Sequence, residues 1–158
     1  MDINLSRIKC LPVFAVVVAV LGISPAFGQA SVTRAERELF ASINQARIAQ
    51  GLPALRWDDA LASAARRHAE LMAQNGSAQH NFVGEANLAS RVKQAGARFT
   101  WLSENVAQAP TASLVHTQFM KSPNHRANIL DNDMDSIGIG IVERNGQLFT
   151  VEDFSKAR

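Results

Sequence analysis

The chain has 158 residues, of which 47% are hydrophobic, 19% charged and 6% aromatic, with no tyrosine and a single cysteine. That balance is the composition of one globular domain and excludes the disordered and fibrous classes. Sixteen Lys plus Arg against 14 Asp plus Glu give a formal charge of +2. The charges are scattered rather than gathered on one face, which excludes nucleic acid as a partner.

Residues 1–28 read as a secretory signal peptide. Arg7 and Lys9 precede an apolar run from Leu11 to Ile23, Pro25 breaks it, and Ala26-Phe27-Gly28 offers the small residues of a cleavage site, with Ala30 as the alternative. The run is too short to span a bilayer, and Cys10 stands at its start rather than its end, so no lipid or membrane anchor is expected after cleavage. The expected mature chain, residues 29–158, carries a formal +1 once Asp2, Arg7 and Lys9 are lost. Cys10 leaves with the leader, so the domain has no disulfide and depends on its core. Export implies a secreted or periplasmic protein, and a monomer is the expectation for an isolated domain of this size.

The first element of the mature chain opens at a Thr33-x-x-Glu36 capping box. Leu39, Phe40, Ile43 and Ala46 follow helical spacing, and Gly51 ends the helix before Pro53. Asp58 suits the N-cap of a second helix. Leu61, Ala64, Ala65, His68, Leu71 and Met72 form its stripe, Asn75-Gly76 ends it, and its alanines imply close packing. A short helix is expected over Leu88–Ala95, ending at Gly96, and an extended segment over Ser103–Ala107. Thr111 can cap a helix through Leu114, Val115 and Phe119. Ser122-Pro123 reads as an N-cap followed by proline at the first helical position, opening a short helix with His125 and Ile129.

The last third changes period. Ile137, Ile139 and Ile141 alternate with Gly138 and Gly140 as in a strand. Asn145-Gly146 is a strong hairpin signal, and Leu148, Phe149, Val151 and Phe154 fit the returning strand. Helices first and a hairpin last make the class α+β with an antiparallel sheet. Glycines on one strand face let a helix or loop approach closely.

Four histidines could carry chemistry. His68 lies on an apolar stripe and reads as a core histidine with one hydrogen bond. His116 has no polar partner at helical spacing and reads as a surface residue. His80 and His125 sit where the chain turns, where sites tend to be built. Glu104 is a lone carboxylate between Leu102 and Val106, partly buried and in need of a partner. There is no H-E-x-x-H, no G-x-S-x-G, no phosphate-binding glycine loop and no cysteine nucleophile in the mature chain. Asp131, Asp133 and Asp135 lack the glycine and glutamate of a calcium loop and read as a solvated turn.

An ordered series of blocks then carries a family resemblance. It runs Leu39-x4-Asn44-x2-Arg47, Gly51-Leu52-Pro53-x-Leu55-x-Trp57-Asp58, Ala65-x2-His68-Ala69-x2-Met72-Ala73, His80, Glu104-Asn105-Val106-Ala107, Ser122-Pro123-Asn124-His125-Arg126-Ala127-Asn128-Ile129-Leu130 and Ile137-Gly138-Ile139-Gly140. The series resembles the CAP superfamily, also called SCP-like (cysteine-rich secretory proteins, antigen 5 and plant pathogenesis-related group 1), in its bacterial, cysteine-free branch, over residues 36–154.

The resemblance implies a three-layer α-β-α sandwich around a small antiparallel sheet. It also implies a central cleft that holds zinc or another divalent ion in some members, though no metal is required. Matched position by position, His80, His125 and Glu104 would be the metal ligands, with Glu104 also the candidate catalytic base. Arg126, Asn128 and Asn105 would support the cleft. Ser103 and Asn124 stand where glycine is usual, and Phe119 where tryptophan is. The second acid of the animal and plant site has no counterpart, leaving Glu152 or Asp153 as acids near the chain end. The resemblance points to a non-enzymatic binding module for a lipid, glycan or protein ligand. A metal-assisted hydrolase and a purely structural His/Glu cluster are the alternatives.

Overall fold

The computed structural model describes residues 31–158. The expected leader, its cleavage sites and Cys10 lie outside the described residues. Helix α1 spans Arg34–Ala49 and begins with the expected capping box, the Thr33 hydroxyl accepting from the Glu36 amide and the Glu36 carboxylate from the Thr33 amide. A two-residue strand β1, Arg56–Trp57, precedes α2, Asp59–Asn75. Asp58 caps α2 by accepting from the amides of Ala60 and Leu61, and Gly76 ends it in the left-handed conformation at φ +64°. Helix α3, Leu88–Gln94, leads into the long strand β2, Phe99–Ala109. Helices α4, Ala112–Lys121, and α5, Pro123–Ile129, follow, and the hairpin of β3, Ser136–Arg144, and β4, Gln147–Ala157, completes the domain. Asn145 and Gly146 both take positive φ, as a tight hairpin turn requires.

The sheet order is β1-β3-β4-β2. β3–β4 and β4–β2 are antiparallel, but β1 pairs with β3 in parallel, so the sheet is not wholly antiparallel. The β1 pairing was invisible in the sequence because two residues carry no periodicity. Ser122 differs too: its side chain makes no capping bond, and Pro123 at the start of α5 makes only the backbone entry.

The three layers follow from strand alternation. Ile137, Ile139 and Phe154 face one side of the sheet and form a core with Leu39 and Ile43 of α1, Val115 and Phe119 of α4 and Ile129 of α5. Val106, Phe149 and Val151 face the other side and pack on Ala65, Ala69 and Met72 of α2. Arg47 ties the first layer together from a fully buried position. Its guanidinium donates to the carbonyls of Pro53, Ile129, Asp131 and Met134 at 2.8–3.2 Å.

The glycines of β3 set the distance of the other layer. A Cβ at Gly138 would lie 2.0 Å from the Ala62 amide nitrogen, and one at Gly140 2.2 Å from the Ala65 carbonyl carbon. Both obstacles are helix backbone, so no rotamer change relieves them. Gly138→Ala is therefore expected to cost about 3 kcal/mol or more, at or beyond the upper end of ordinary overpacking. Urea melts against the parent chain measure this, and a loss below about 1 kcal/mol would show that α2 can retreat without penalty.

Candidate functional site

The candidate residues meet at β2, which is an edge strand of the sheet. Alternation sends Glu104 toward the α2 side and Asn105 toward α4 and α5. The segment between α2 and α3 brings His80 to Glu104, and α5 brings His125 to Asn105.

Glu104 is 7% exposed, and both of its carboxylate oxygens are engaged. His80 Nδ1 donates to Oε1 at 2.9 Å, and an Arg91 guanidinium nitrogen donates to Oε2. Arg91, itself 5% exposed, also donates to the His80 carbonyl at 3.2 Å and lies 3.4 Å from Glu85 Oε1. His68 is fully buried beside this group, with Nδ1 2.7 Å from Glu85 Oε1 and Nε2 2.8 Å from the Gln79 carbonyl. His68 is thus a core histidine with two hydrogen bonds instead of one.

Glu152 and Asp153 are the acids that sequence spacing left unplaced. Asp153 is the β4 register partner of Glu104, and Glu152 that of Asn105; both are fully buried. Burial, and after it the Glu104 charge, holds the Asp153 carboxyl well above the usual carboxylate range, with Arg91 opposing. With both acids ionised, neither Asp153 oxygen has a donor. One proton on Asp153 supplies the donor toward Glu104, so the pair shares a single negative charge, which Arg91 balances. On the other face Glu152 Oε2 accepts from Asn105 Nδ2 at 3.0 Å. Burial pushes Glu152 up to about 8, and the Asn105 bond only partly offsets this.

Asn105 Nδ2 also donates to the His125 carbonyl at 3.1 Å. Asn128, one turn along α5, donates to the Glu104 carbonyl at 3.3 Å and to Asn105 Oδ1 at 2.8 Å. Asn105 and Asn128 thus brace the loop that carries His125. Arg126 does not: it is exposed, and only its backbone takes part, within α5. The His125 ring packs edge-on against Phe119, with centroids 5.0 Å apart. His116 is half-buried rather than on the surface, and its Nδ1 has no partner among the described residues, so burial lowers its pKa.

The two outward imidazoles differ in charge. The Glu104 hydrogen bond raises the pKa of His80, while burial and then the His80 charge lower that of His125. Near neutral pH the site therefore offers one ring biased toward the cation and one toward the neutral form. The expected three-ligand set fares differently. Among the described residues no group of three or more His, Cys, Asp or Glu side chains is arranged to hold a metal ion. Glu104 is committed to Arg91 and His80.

Sequence reasoning missed Arg91 and Glu85. Arg91 lies on a seven-residue helix, too short for periodicity to mark a buried face. The one available signal was the demand of a buried Glu104 for a cation.

Two outcomes follow. Arg91→Met leaves a buried carboxylate without its countercharge and should cost about 3–5 kcal/mol, while adding Glu104→Gln should recover most of it; denaturation of the single and double variants measures the coupling. Glu152 has a folded pKa of about 8 against an ordinary value of 4.5. Its contribution to stability is therefore complete below the lower value and lost as pH rises through the upper one. Glu152→Gln should flatten the fall in Tm between those pH values and raise stability at the alkaline end by on the order of a few kcal/mol. Parallel profiles for the two proteins would contradict a protonated Glu152.

Comparison with known proteins agrees with this fold. The chain is 29% identical over 127 residues to the uncharacterized protein YkwD of Bacillus subtilis, covering 80% of this chain and 49% of that protein. It thus spans about half the length of that relative. A solved outer surface protein of Borrelia burgdorferi superposes with a TM-score of 0.74 at 22% identity, over 82% of this chain and 97% of that one. An extracellular SCP-domain protein of Bacillus anthracis gives 0.71 at 24% identity, over 76% of this chain and 39% of that one. The model of the CAP cysteine-rich secretory protein family matches residues 40–154, and the chain belongs to that family.

Proposed function

We propose that this CAP domain is an exported binding module that engages a lipid, glycan or protein ligand without turning it over. The observation that supports this reading is the state of Glu104. A general base must reach the proton that it removes, and Glu104 is 7% exposed, with its two oxygens turned to His80 and Arg91. Glu85 is occupied in the same way, by His68 and by the Phe82 amide. The cluster therefore acts as a charge-balanced support, and what it presents outward is the imidazoles of His80 and His125. Export is supported by the leader-like residues 1–28 and by relatives described as extracellular or outer-surface proteins. Among the described residues no helix is long and apolar enough to cross a membrane. The protein is proposed to work as a monomer.

A metal-binding reading has one observation in its favour. His80 spends Nδ1 on Glu104, so Nε2 is the nitrogen that could ligate an ion, in exchange for its proton. In this reading His80 and His125 would hold a zinc ion as a weak two-imidazole site, and the fold would not depend on it, because Arg91 already supplies the positive charge that Glu104 needs. When bound, such an ion would supply a Lewis acid at the mouth of the site. Calorimetric zinc titration of the protein and of a His80→Ala/His125→Ala variant separates these readings. The expected result is weak binding that the variant loses, a Tm unchanged by chelator, and no zinc-dependent hydrolysis of peptide or ester substrates. Turnover that zinc restores and chelator abolishes would overturn the binding-module reading.

A further inference from the structure

The chain has two tryptophans, and their surroundings differ. Trp57 is half-buried, lies edge-on to Phe40 with centroids 5.5 Å apart, and donates its indole N–H to Asp59. Trp101 is 61% exposed, and among the described residues its indole has neither a ring partner nor a hydrogen bond. It is aimed outward by an irregularity of the backbone. The β2–β4 register shifts between Phe99 and Trp101, so that Phe99 joins the α3-side cluster while Trp101, two residues on, falls on the opposite face. A bulge used in this way re-aims a side chain.

Trp101 forms one wall of a groove of about 400 Å³ whose other walls are polar: Thr100, Asp131, Asp133 and Lys156. These walls are joined by hydrogen bonds. Asp131 Oδ1 accepts from the Asp133 amide at 2.8 Å, and Asp133 Oδ1 accepts from Lys156 Nζ at 3.2 Å. Each carboxylate keeps its second oxygen without a hydrogen bond among the described residues. The lining side chains thus combine one flat apolar face, two carboxylate acceptors and one ammonium donor, with a net charge of −1.

We infer that this groove is a subsite for a neutral pyranose sugar, on the opposite face of β2 from Glu104. A pyranose ring has an apolar C–H face that covers an indole and a rim of hydroxyls that donate to carboxylates, matching both halves of the groove. The net negative charge disfavours uronic and sulfated sugars and anionic lipid headgroups, which would meet two carboxylates at short range. A single indole among polar walls also falls short of the contiguous apolar patch that a membrane or protein interface requires. The inference rests on the binding-module reading and names a ligand class for it. It makes no use of His80 or His125, so its failure leaves the zinc and turnover results standing.

The test is a titration of the whole exported chain with N-acetylated chitotriose, with cellotriose and, as the acidic counterpart, with trigalacturonate. Tryptophan fluorescence and the two indole N–H resonances are followed together. Saturable binding of a neutral trisaccharide that moves the Trp101 resonance and spares that of Trp57 is expected. Trp101→Ala should weaken it roughly tenfold or more, with Trp101→Phe between the two and Tm unchanged, since the ring is exposed. The inference is overturned by no saturable binding of either neutral sugar, by binding that Trp101→Ala leaves intact, or by trigalacturonate binding as well as the neutral sugars. The indole resonances of the unmodified chain decide the matter even if a variant folds poorly.

Discussion

The constraint on which the rest depends is the contact of helix α2 with the backbone of β3 at Gly138 and Gly140. With no side chains between them, the helix lies against the sheet, and its alanines Ala62, Ala65 and Ala69 become the packing surface. This close approach brings His68 over the sheet and to within 4.0 Å of the Glu104 carboxylate. It also seals the face of β4 that carries Asp153. A wider separation would admit water to both acids and remove the reason for either to share a proton.

Sealing that face sets an electrostatic problem, because an ionised carboxylate in a dry interior is costly unless paired. Three means of relief operate side by side. Glu104 is paired with Arg91. Asp153 gives up its charge and bonds to Glu104. Glu152, on the other face with only the Asn105 amide for company, stays protonated across the neutral range. Such clusters are weak evidence for stability, since apolar residues of similar volume often do as well. What this one achieves is orientation: it fixes which nitrogen of His80 faces out, and through Asn105 and Asn128 it sets the height of α5 and of His125. The pairing of a cation-biased ring with a neutral one is a product of buried groups that never reach the surface.

Much of the fold was legible in the sequence. Thr33, Asp58 and Thr111 are caps whose side chains bond to amides two or three residues away, and Gly76 and Asn145-Gly146 occupy positions that need positive φ. The isoleucine–glycine alternation of β3 foretold the close approach of a helix or loop, and it is helix α2 that approaches. These features share a cause: each is decided by neighbours in the chain or by a repeat that the chain displays. The two-residue β1 and the unused Ser122 hydroxyl escaped because one has no period and the other depends on how α5 is approached.

The site divides in the same way. His80, Glu104 and His125 could be nominated from residue type, from their places at turns and from the family resemblance, and Glu104 could be seen to need a partner. That the partner is Arg91, that Asp153 lies opposite Glu104 and Glu152 opposite Asn105, and that Arg126 points away were decided by tertiary structure alone. Sequence specifies local geometry because backbone hydrogen bonds and caps reach only a few residues. It does not state strand register or helix rotation, and those two quantities determine which charges share a dry space and therefore which of them remain charged.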